Sequence, residues 1–343
     1  MLKTVRARAP LRLGLFGGGT DLSPYCDEYG GVVINSTIDK YAYVTIKDRK
    51  DKKIVFKAED IKIREEFSLN QLVESETKLQ LHKTIYLYMI EKYNNNVDIP
   101  LTINSFCEVP PGSGLGSSST LVVTILKAFI EYFDVGLDDY QISRLAYQFE
   151  RVICKISGGK QDQYAATFGG FNLMEFFDNN RVVVTPLRIK NWILCEFEAS
   201  LILYFTGASR DSSNIIKDQI SQYKSHTSST LENMHLIKKE TYLFKELLLK
   251  GDFEKMANSI RKSWLSKKMT SQKISNANID HIYESAINKG ALAGKVSGAG
   301  GGGFMWFIVD PEKKIDVMNT LKEFGGFVSN CKFTEKGCES WTL

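Results

Sequence analysis

Residues 3–15 alternate, with Val5, Ala7, Ala9, Leu11, Leu13 and Leu15 on one face, which is the period-2 pattern of a strand. Stretches rich in Val, Ile, Tyr and Thr at 32–46 and 53–57 predict further strands. Leu81, Ile85, Tyr88 and Met89 fall at helical spacing within 81–93. Residues 101–109 read as a strand that stops at Pro110-Pro111, because proline lacks the N–H that a ladder needs. Helices are predicted over 118–133 and 138–154, the second opened by Asp138 as its cap. The pattern restarts near 185–191. Residues 192–205 then form a long apolar, β-branched and aromatic run that predicts a buried strand. Helical stretches, polar on one side, follow near 212–250, 252–268 and 276–289. The chain closes with strand 291–297, a glycine loop, strand 303–309, helix 311–324 and strand 326–333.

This order predicts an α+β protein with two closely packed halves, 1–187 and 188–343. The length of 343 residues agrees, at roughly 150 per domain. With 43% hydrophobic and 24% charged residues, the chain has enough apolar surface for a core, so disorder is excluded. A net charge of +4 is too small for a dedicated nucleic-acid binder or a polybasic membrane protein. No apolar run approaches the roughly 18 residues of a membrane span. Met1–Arg12 never opens into the apolar core of a signal peptide. The expectation is a cytoplasmic protein without nucleic-acid or membrane partners. The six cysteines and four histidines are dispersed, which argues for free thiols and against a zinc site or disulfide framework.

Glycine loops change the picture more than composition does. The densest is Pro110-Pro111-Gly112-Ser113-Gly114-Leu115-Gly116-Ser117-Ser118-Ser119, between a predicted strand and a predicted helix. Glycines there let bare backbone approach a ligand, and a helix start offers unpaired N–H groups to an anion. Phosphate is the natural guest, and a serine hydroxyl can also ligate Mg²⁺. No Gly-Lys-Ser/Thr follows, so this is not a Walker A loop, and protein-kinase signatures are absent. The run Gly298-Ala299-Gly300-Gly301-Gly302-Gly303 matches G-x-G-x-x-G by letter. A strand follows it where a dinucleotide fold requires a helix, so it signals close backbone approach only. A third loop, Gly17-Gly18-Gly19-Thr20-Asp21, follows the first strand and aims a carboxylate at polar ligand atoms such as sugar hydroxyls.

Together, Ala9-Pro10-Leu11-Arg12…Gly17–Asp21, Pro110–Ser119 and Lys295-Val296-Ser297-Gly298–Gly302 resemble the three motifs of the GHMP small-molecule kinases, in order and across most of the chain. That family includes galactokinase, homoserine kinase, mevalonate kinase and phosphomevalonate kinase. The resemblance implies two α+β domains, the second ferredoxin-like, with ATP, Mg²⁺ and a small-molecule acceptor in the cleft between them. Gly17–Asp21 with Tyr25, Gly30-Gly31 and Asn35, and Lys160–Tyr164, resemble the branch acting on heptose 7-phosphate. Its reaction would place the γ-phosphoryl on the anomeric hydroxyl, giving a 1,7-bisphosphate for nucleotide-activated heptose and surface polysaccharide. Two alternatives stay open: a fucokinase-type or other hexose kinase, and a sugar and ATP sensor without transfer. A homodimer is compatible with the resemblance and not required by it.

The resemblance also implies roles. Asp162 would be the catalytic carboxylate, although an Asp in a turn is ordinarily a cap. Arg12, after Ala-Pro-x, would sit beside it and offset charge on the transferring group. Pro111–Ser119 would hold the nucleotide, with Ser118, or Ser117 as its rival, and Glu150 on Mg²⁺. The interval from Glu150 to Asp162 is one residue longer than in mevalonate kinase. Gly18, Gly19, Thr20, Asp21, Gly300 and Gly301 would meet the acceptor. Arg210 would bind the acceptor's phosphate, with Lys160 a second candidate and Lys295 a weaker third.

Overall fold

The computed structural model describes residues 2–207, 212–224 and 228–343. Strand β1 (Thr4–Phe16) buries Val5, Ala7, Ala9, Leu11, Leu13 and Leu15, as its alternation predicts. These six side chains serve two cores: residues 5–9 pack into one and 11–15 into another. The change falls where β1 slips register against β2 (Gly31–Asp48), between Pro10 and Arg12. Proline has no N–H to lose there, so the irregularity sacrifices no bond from residue 10. Arg12 therefore lies at the junction of the two cores.

The remaining strands are β3 (Lys53–Ala58), β4 (Ile63–Ser68), β5 (Leu101–Cys107), β6 (Phe171–Phe176), β7 (Val182–Pro186), β8 (Leu201–Phe205), β9 (Ala291–Val296), β10 (Phe304–Val309), β11 (Phe327–Asn330) and β12 (Glu339–Thr342). The first sheet runs β12-β1-β2-β5-β3-β4, with β6 on β2 and β7 on β6. The second runs β11-β8-β10-β9. Helices are α1 (Tyr25–Tyr29), α2 (Gln80–Tyr93), α3 (Ser117–Phe133), α4 (Asp139–Tyr147), α5 (Gln161–Phe168), α6 (Asn191–Ser200), α7 (Ser212–Lys224), α8 (Ser228–Lys250), α9 (Phe253–Met269), α10 (Ala277–Asn288) and α11 (Lys314–Glu323).

α2, α3 and α4 cover one face of the first sheet, burying Ile85, Met89, Val122, Leu126, Phe129 and Ile142. A second core joins the halves, where Leu13 and Phe16 of β1 meet Ile193 and Phe197 of α6 and Phe244 of α8. The second sheet is buried on both faces: Leu201, Leu203, Trp306 and Ile308 point into that joint core. Ile202, Tyr204, Met305 and Phe307 point into a third, against α9, α10 and α11. A strand buried on both sides needs no polar alternation, which explains the unbroken run Phe304–Val309.

Three expectations are corrected. The run 192–205 is not one strand: Asn191–Ser200 is helical and only Leu201–Phe205 is extended. Ile193 and Phe197 lie one helical turn apart and are buried, while Trp192 is exposed, and that spacing outweighs the apolar composition. Second, the helix predicted over 138–154 ends at Tyr147 and continues as a π-helical turn, Gln148–Ile153. Asp138 caps it as expected, in a reciprocal pair with Gln141. Third, 212–250 holds two helices, α7 and α8, flanking 225–227, which lie outside the described residues. No described helix is long and apolar enough to cross a membrane.

Candidate active site

The phosphate-type loop ends β5 and opens α3. Gly114 and Gly116 adopt φ of +84° and +79°, a region side chains disfavour. A Cβ on Gly116 would lie 3.3 Å from Asp162 Cγ, and one on Gly114 would lie 2.5 Å from the Ser297 carbonyl. No side chain caps α3, so its first N–H groups stay open to an anion. Gly112, Gly114, Gly116, Ser117, Ser118 and Ser119 line a cleft of about 970 Å³, counting its open mouth. Ser113 and Leu115 are buried and hold the loop in place. The Ser113 carbonyl accepts from Phe304 N–H at 2.8 Å and the Leu115 carbonyl from Arg12 N–H at 3.1 Å. Pro111 is exposed and lies outside the lining.

Arg12 and Asp162 meet across this cleft. Arg12 Nε donates to Asp162 Oδ1 at 2.7 Å and Nη2 to Oδ2 at 2.9 Å, a bidentate pair. Its third nitrogen, Nη1, donates to the Gly114 carbonyl at 2.6 Å. One guanidinium thus fixes both the carboxylate and the phosphate-type loop. Asp162 stands in the first turn of α5, a helix that the sequence pattern does not predict.

Gly18, Gly19 and Asp21 line the same cleft. Asp21 accepts from the backbone N–H groups of Gly19 and Gln161, each at 3.2 Å. Burial, and then the charge of Asp162, raise its pKa. Gly159 is the residue that lets it fit, since a Cβ there would lie 1.9 Å from Asp21 Oδ2. Thr20 turns away, its hydroxyl bonded to the backbone of Gly17 and Val32. Gly300 and Gly301 also stand back from the lining: Gly301 N–H donates to the Ile274 carbonyl at 2.8 Å, and Gly298 and Ala299 face the cleft instead.

Lys160 does not reach the cleft. Its buried ammonium pairs with Asp27 at 3.2 Å and lies 3.8 Å from Cys26 Sγ. Burial opposes its charge, but Cys26 and Asp27 outweigh that and raise its pKa. Arg210 lies outside the described residues.

Glu150 stands in the π-helical turn, 1% exposed, and lines the cleft. Its Oε2 accepts from Ser119 Oγ at 2.6 Å and Gln163 Nε2 at 2.7 Å. Its Oε1 makes no hydrogen bond, although Arg151 Nη1 lies 3.2 Å away as an ion pair. The serine bonded to Glu150 is therefore Ser119, while Ser118 is exposed to the cleft. Among the described residues no group of three or more His, Cys, Asp or Glu side chains converges.

Of the lining residues that sequence reasoning misses, four carry amide or cationic side chains: Arg151, Gln161, Gln219 and Lys267. Arg151 donates to the carbonyls of Ile156, Ser157 and Gly159 and braces the loop before Asp162. Gln161 aims an amide nitrogen with no partner, from a nearly buried side chain. Gln219 comes from α7 and Lys267 from α9. Burial, then the charge of Arg12, push Lys267 down to about 8. Burial, then Lys267 and Arg12, also push down Lys295, whose Nζ donates to the Leu15 carbonyl at 3.3 Å. Arg151 and Gln161 flank residues already singled out and could have been found from that. Lys267 is one of four lysines on α9, with Lys255, Lys262 and Lys268, and carries no local signal.

Residues 80–170 match the N terminal domain of GHMP kinases, and residues 244–326 match the GHMP kinases C terminal domain. A D-glycero-alpha-D-manno-heptose 7-phosphate kinase of Campylobacter jejuni is 45% identical over 342 residues, covering 100% of both chains. A crystal structure of a D-glycero-D-manno-heptose 1-phosphate kinase from Bacteroides thetaiotaomicron superposes with a TM-score of 0.83 at 40% identity, over 99% of each chain. A putative sugar kinase from Campylobacter jejuni gives 0.83 at 44% identity, over 99% of each chain. The chain belongs to the GHMP kinase family. It is a phosphotransferase built on that family's α+β fold.

Proposed function

We propose that this chain transfers the γ-phosphoryl of ATP to the anomeric hydroxyl of D-glycero-D-manno-heptose 7-phosphate, giving the 1,7-bisphosphate. The observation that carries the reading is the Arg12–Asp162 pair. It places a carboxylate between the open end of α3 and the loop Gly18–Asp21. The full-length similarity to a heptose 7-phosphate kinase supports the acceptor.

Backbone N–H groups of 116–119 hold the triphosphate and leave its last group at Asp162. Asp21 and the unpaired amide of Gln161 hold the acceptor through its hydroxyls, with Gly18 and Gly19 admitting it closely. Asp162 accepts a hydrogen bond from the attacking hydroxyl and takes its proton as the new O–P bond forms. The bond from the γ-phosphorus to the bridging oxygen breaks, and ADP leaves. Arg12 keeps Asp162 in place through two bonds while its charge offsets the transferring group.

Glu150 Oε1, buried and without a hydrogen bond, suits a hard cation that draws its other ligands from phosphates and water. Glu150 and the Ser118 hydroxyl would hold Mg²⁺, which supplies charge neutralisation on the phosphates. Arg210 remains the anchor proposed for the acceptor's phosphate on sequence grounds. The product would feed nucleotide-activated heptose for surface polysaccharide.

The test is sugar-dependent ADP release from ATP and Mg²⁺, run over heptose 7-phosphate, heptose 1-phosphate, free heptose, L-fucose, mannose and galactose. Turnover with the 7-phosphate, and a second phosphate at C1 by NMR, is the expected result. Preference for the 1-phosphate would move the reacting hydroxyl to another carbon, and preference for L-fucose would replace the acceptor. ATP binding without any sugar-dependent ADP would make the chain a sensor.

A further inference from the structure

Lys267 is 4% exposed, yet it lines the cleft, and the roles of Asp162, Arg12, Asp21 and Gln161 leave it without a task. Its Nζ donates to the Gly298 carbonyl. On its other side it lies 3.6 Å from where a Cβ on Gly18 would stand. The ammonium is thus wedged between two motif loops. Gly298 in turn packs on the third, since a Cβ there would lie 2.9 Å from the Gly114 carbonyl. That carbonyl is the one Arg12 grips while it holds Asp162. Lys267 therefore sits where nucleotide, acceptor and carboxylate must converge.

The charges there do not balance. Arg12, Lys267 and Lys295 are mutually repelling neighbours, as the lowering of both lysines by Arg12 records. Facing them are Asp162, whose two oxygens Arg12 already occupies, and Asp21. Among the described residues no carboxylate forms an ion pair with Lys267. A buried charge without a partner is costly, and a fold retains one when a ligand completes it. The guest that brings several negative oxygens to this junction is a phosphoryl group.

We propose that Lys267 is a catalytic residue that donates to the transferring γ-phosphoryl group and offsets its charge together with Arg12. Lys267 stays protonated throughout: the acceptor oxygen bonds to phosphorus, the acceptor proton passes to Asp162, and the bridging oxygen leaves on ADP. The assignment rests on the phosphotransferase activity and not on which sugar is the acceptor.

The pH dependence follows from the surroundings. Arg12 on β1, Asp21 after it, Lys295 on β9 and the neutral Gln219 on α7 face the same space. With Lys267 near 8 in the free enzyme, its charge is present below that pH and lost above it. The kcat/KM for ATP is expected to fall as pH rises through about 8. Lys267→Arg keeps a charge at all these pH values and is expected to move that limb upward.

The experiment compares the wild type with K267M and K267R from pH 6.5 to 10. K267M is expected to lose about 10²–10³ in kcat, as for one transition-state donor, with the acceptor KM within about threefold. It is expected to bind ADP normally and ATP about tenfold or more weakly, a comparison that needs no acceptor. Its melting temperature should hold or rise, because Met removes a buried unpaired charge. A drop in melting temperature with ATP and ADP weakened alike would make Lys267 structural and overturn the proposal. An unchanged kcat with a raised KM for a phosphorylated acceptor would assign it to the acceptor's phosphate instead. An alkaline limb still near 8 in K267R would give that titration to Lys295 and likewise count against it.

Discussion

Removing Asp162 and Arg12 singly and together separates a carboxylate that does chemistry from a cation that only holds it. Asp162→Ala deletes the proton acceptor, a loss of about 10²–10⁴ in kcat, or about 3–5 kcal/mol of barrier. It also strands Arg12, whose side chain is 6% exposed against 21% for Asp162. Breaking a fully buried pair costs about 3–5 kcal/mol; the exposure of Asp162 to the cleft, and the bond Arg12 keeps to Gly114, reduce that to about 1–2 kcal/mol. Nucleotide affinity should stay within about threefold, because α3 and its loop are untouched. Arg12→Ala should lose comparable turnover and weaken ATP as well, since Gly114 is released. If Arg12 acts mainly through Asp162, the double variant is about as slow as the slower single one, and the coupling reaches about 2–3 kcal/mol. Saturating ADP-release rates, equilibrium ATP binding and melting temperatures for the four proteins measure all of this. Turnover of Asp162→Ala within tenfold of wild type would refute the role of the carboxylate. Strictly additive losses would refute the claim that the two side chains work as a unit.

Gly159→Ala places a Cβ 1.9 Å from Asp21 Oδ2, so the carboxylate must move; acceptor KM should rise about tenfold or more with ATP KM unchanged. Glu150→Gln should raise the Mg²⁺ concentration for half-maximal rate by about tenfold, and an unchanged titration would remove Glu150 as a ligand. Asp21 gives a pH signature. Its pKa is raised above the unfolded value of 3.8, so the folded state binds more protons between those two values and stability falls as pH rises across them. Asp21→Asn should abolish that slope in melting temperature against pH, and a retained slope would assign it elsewhere.

Much of this molecule is legible in its sequence. β1, the strand-to-helix glycine loop, the two strands around the last glycine loop and the cap at Asp138 all follow from local rules. The failures have physical causes. At 192–205 composition spoke for a strand, but the spacing of Ile193 and Phe197 fits a helix laid across the joint core. The π-helical turn at 148–153 cannot be read from periodicity, because an i→i−5 bond inserts one residue without altering which residues look apolar. The turn carries Glu150, 12 positions before Asp162. Lys267 was invisible because its partners come from β1, β9 and two glycine loops. Lys160 looked like a cleft cation, but its place beside Asp27 depends on α1, a short helix the sequence did not announce.

Strand β12 has a consequence for how the chain reaches this state. It completes the first sheet by lying antiparallel against β1, pairing Val5 with Thr342 and Arg8 with Glu339. Arg8 and Glu339 are 331 positions apart in the chain, so the outer margin of the sheet cannot close until nearly everything else has been made and collapsed. During synthesis the strand that carries Arg12 waits with one flank bare, open to mispairing with a neighbour. Chains cut short before residue 339 should therefore cluster rather than stay dispersed, even though every catalytic side chain is already present.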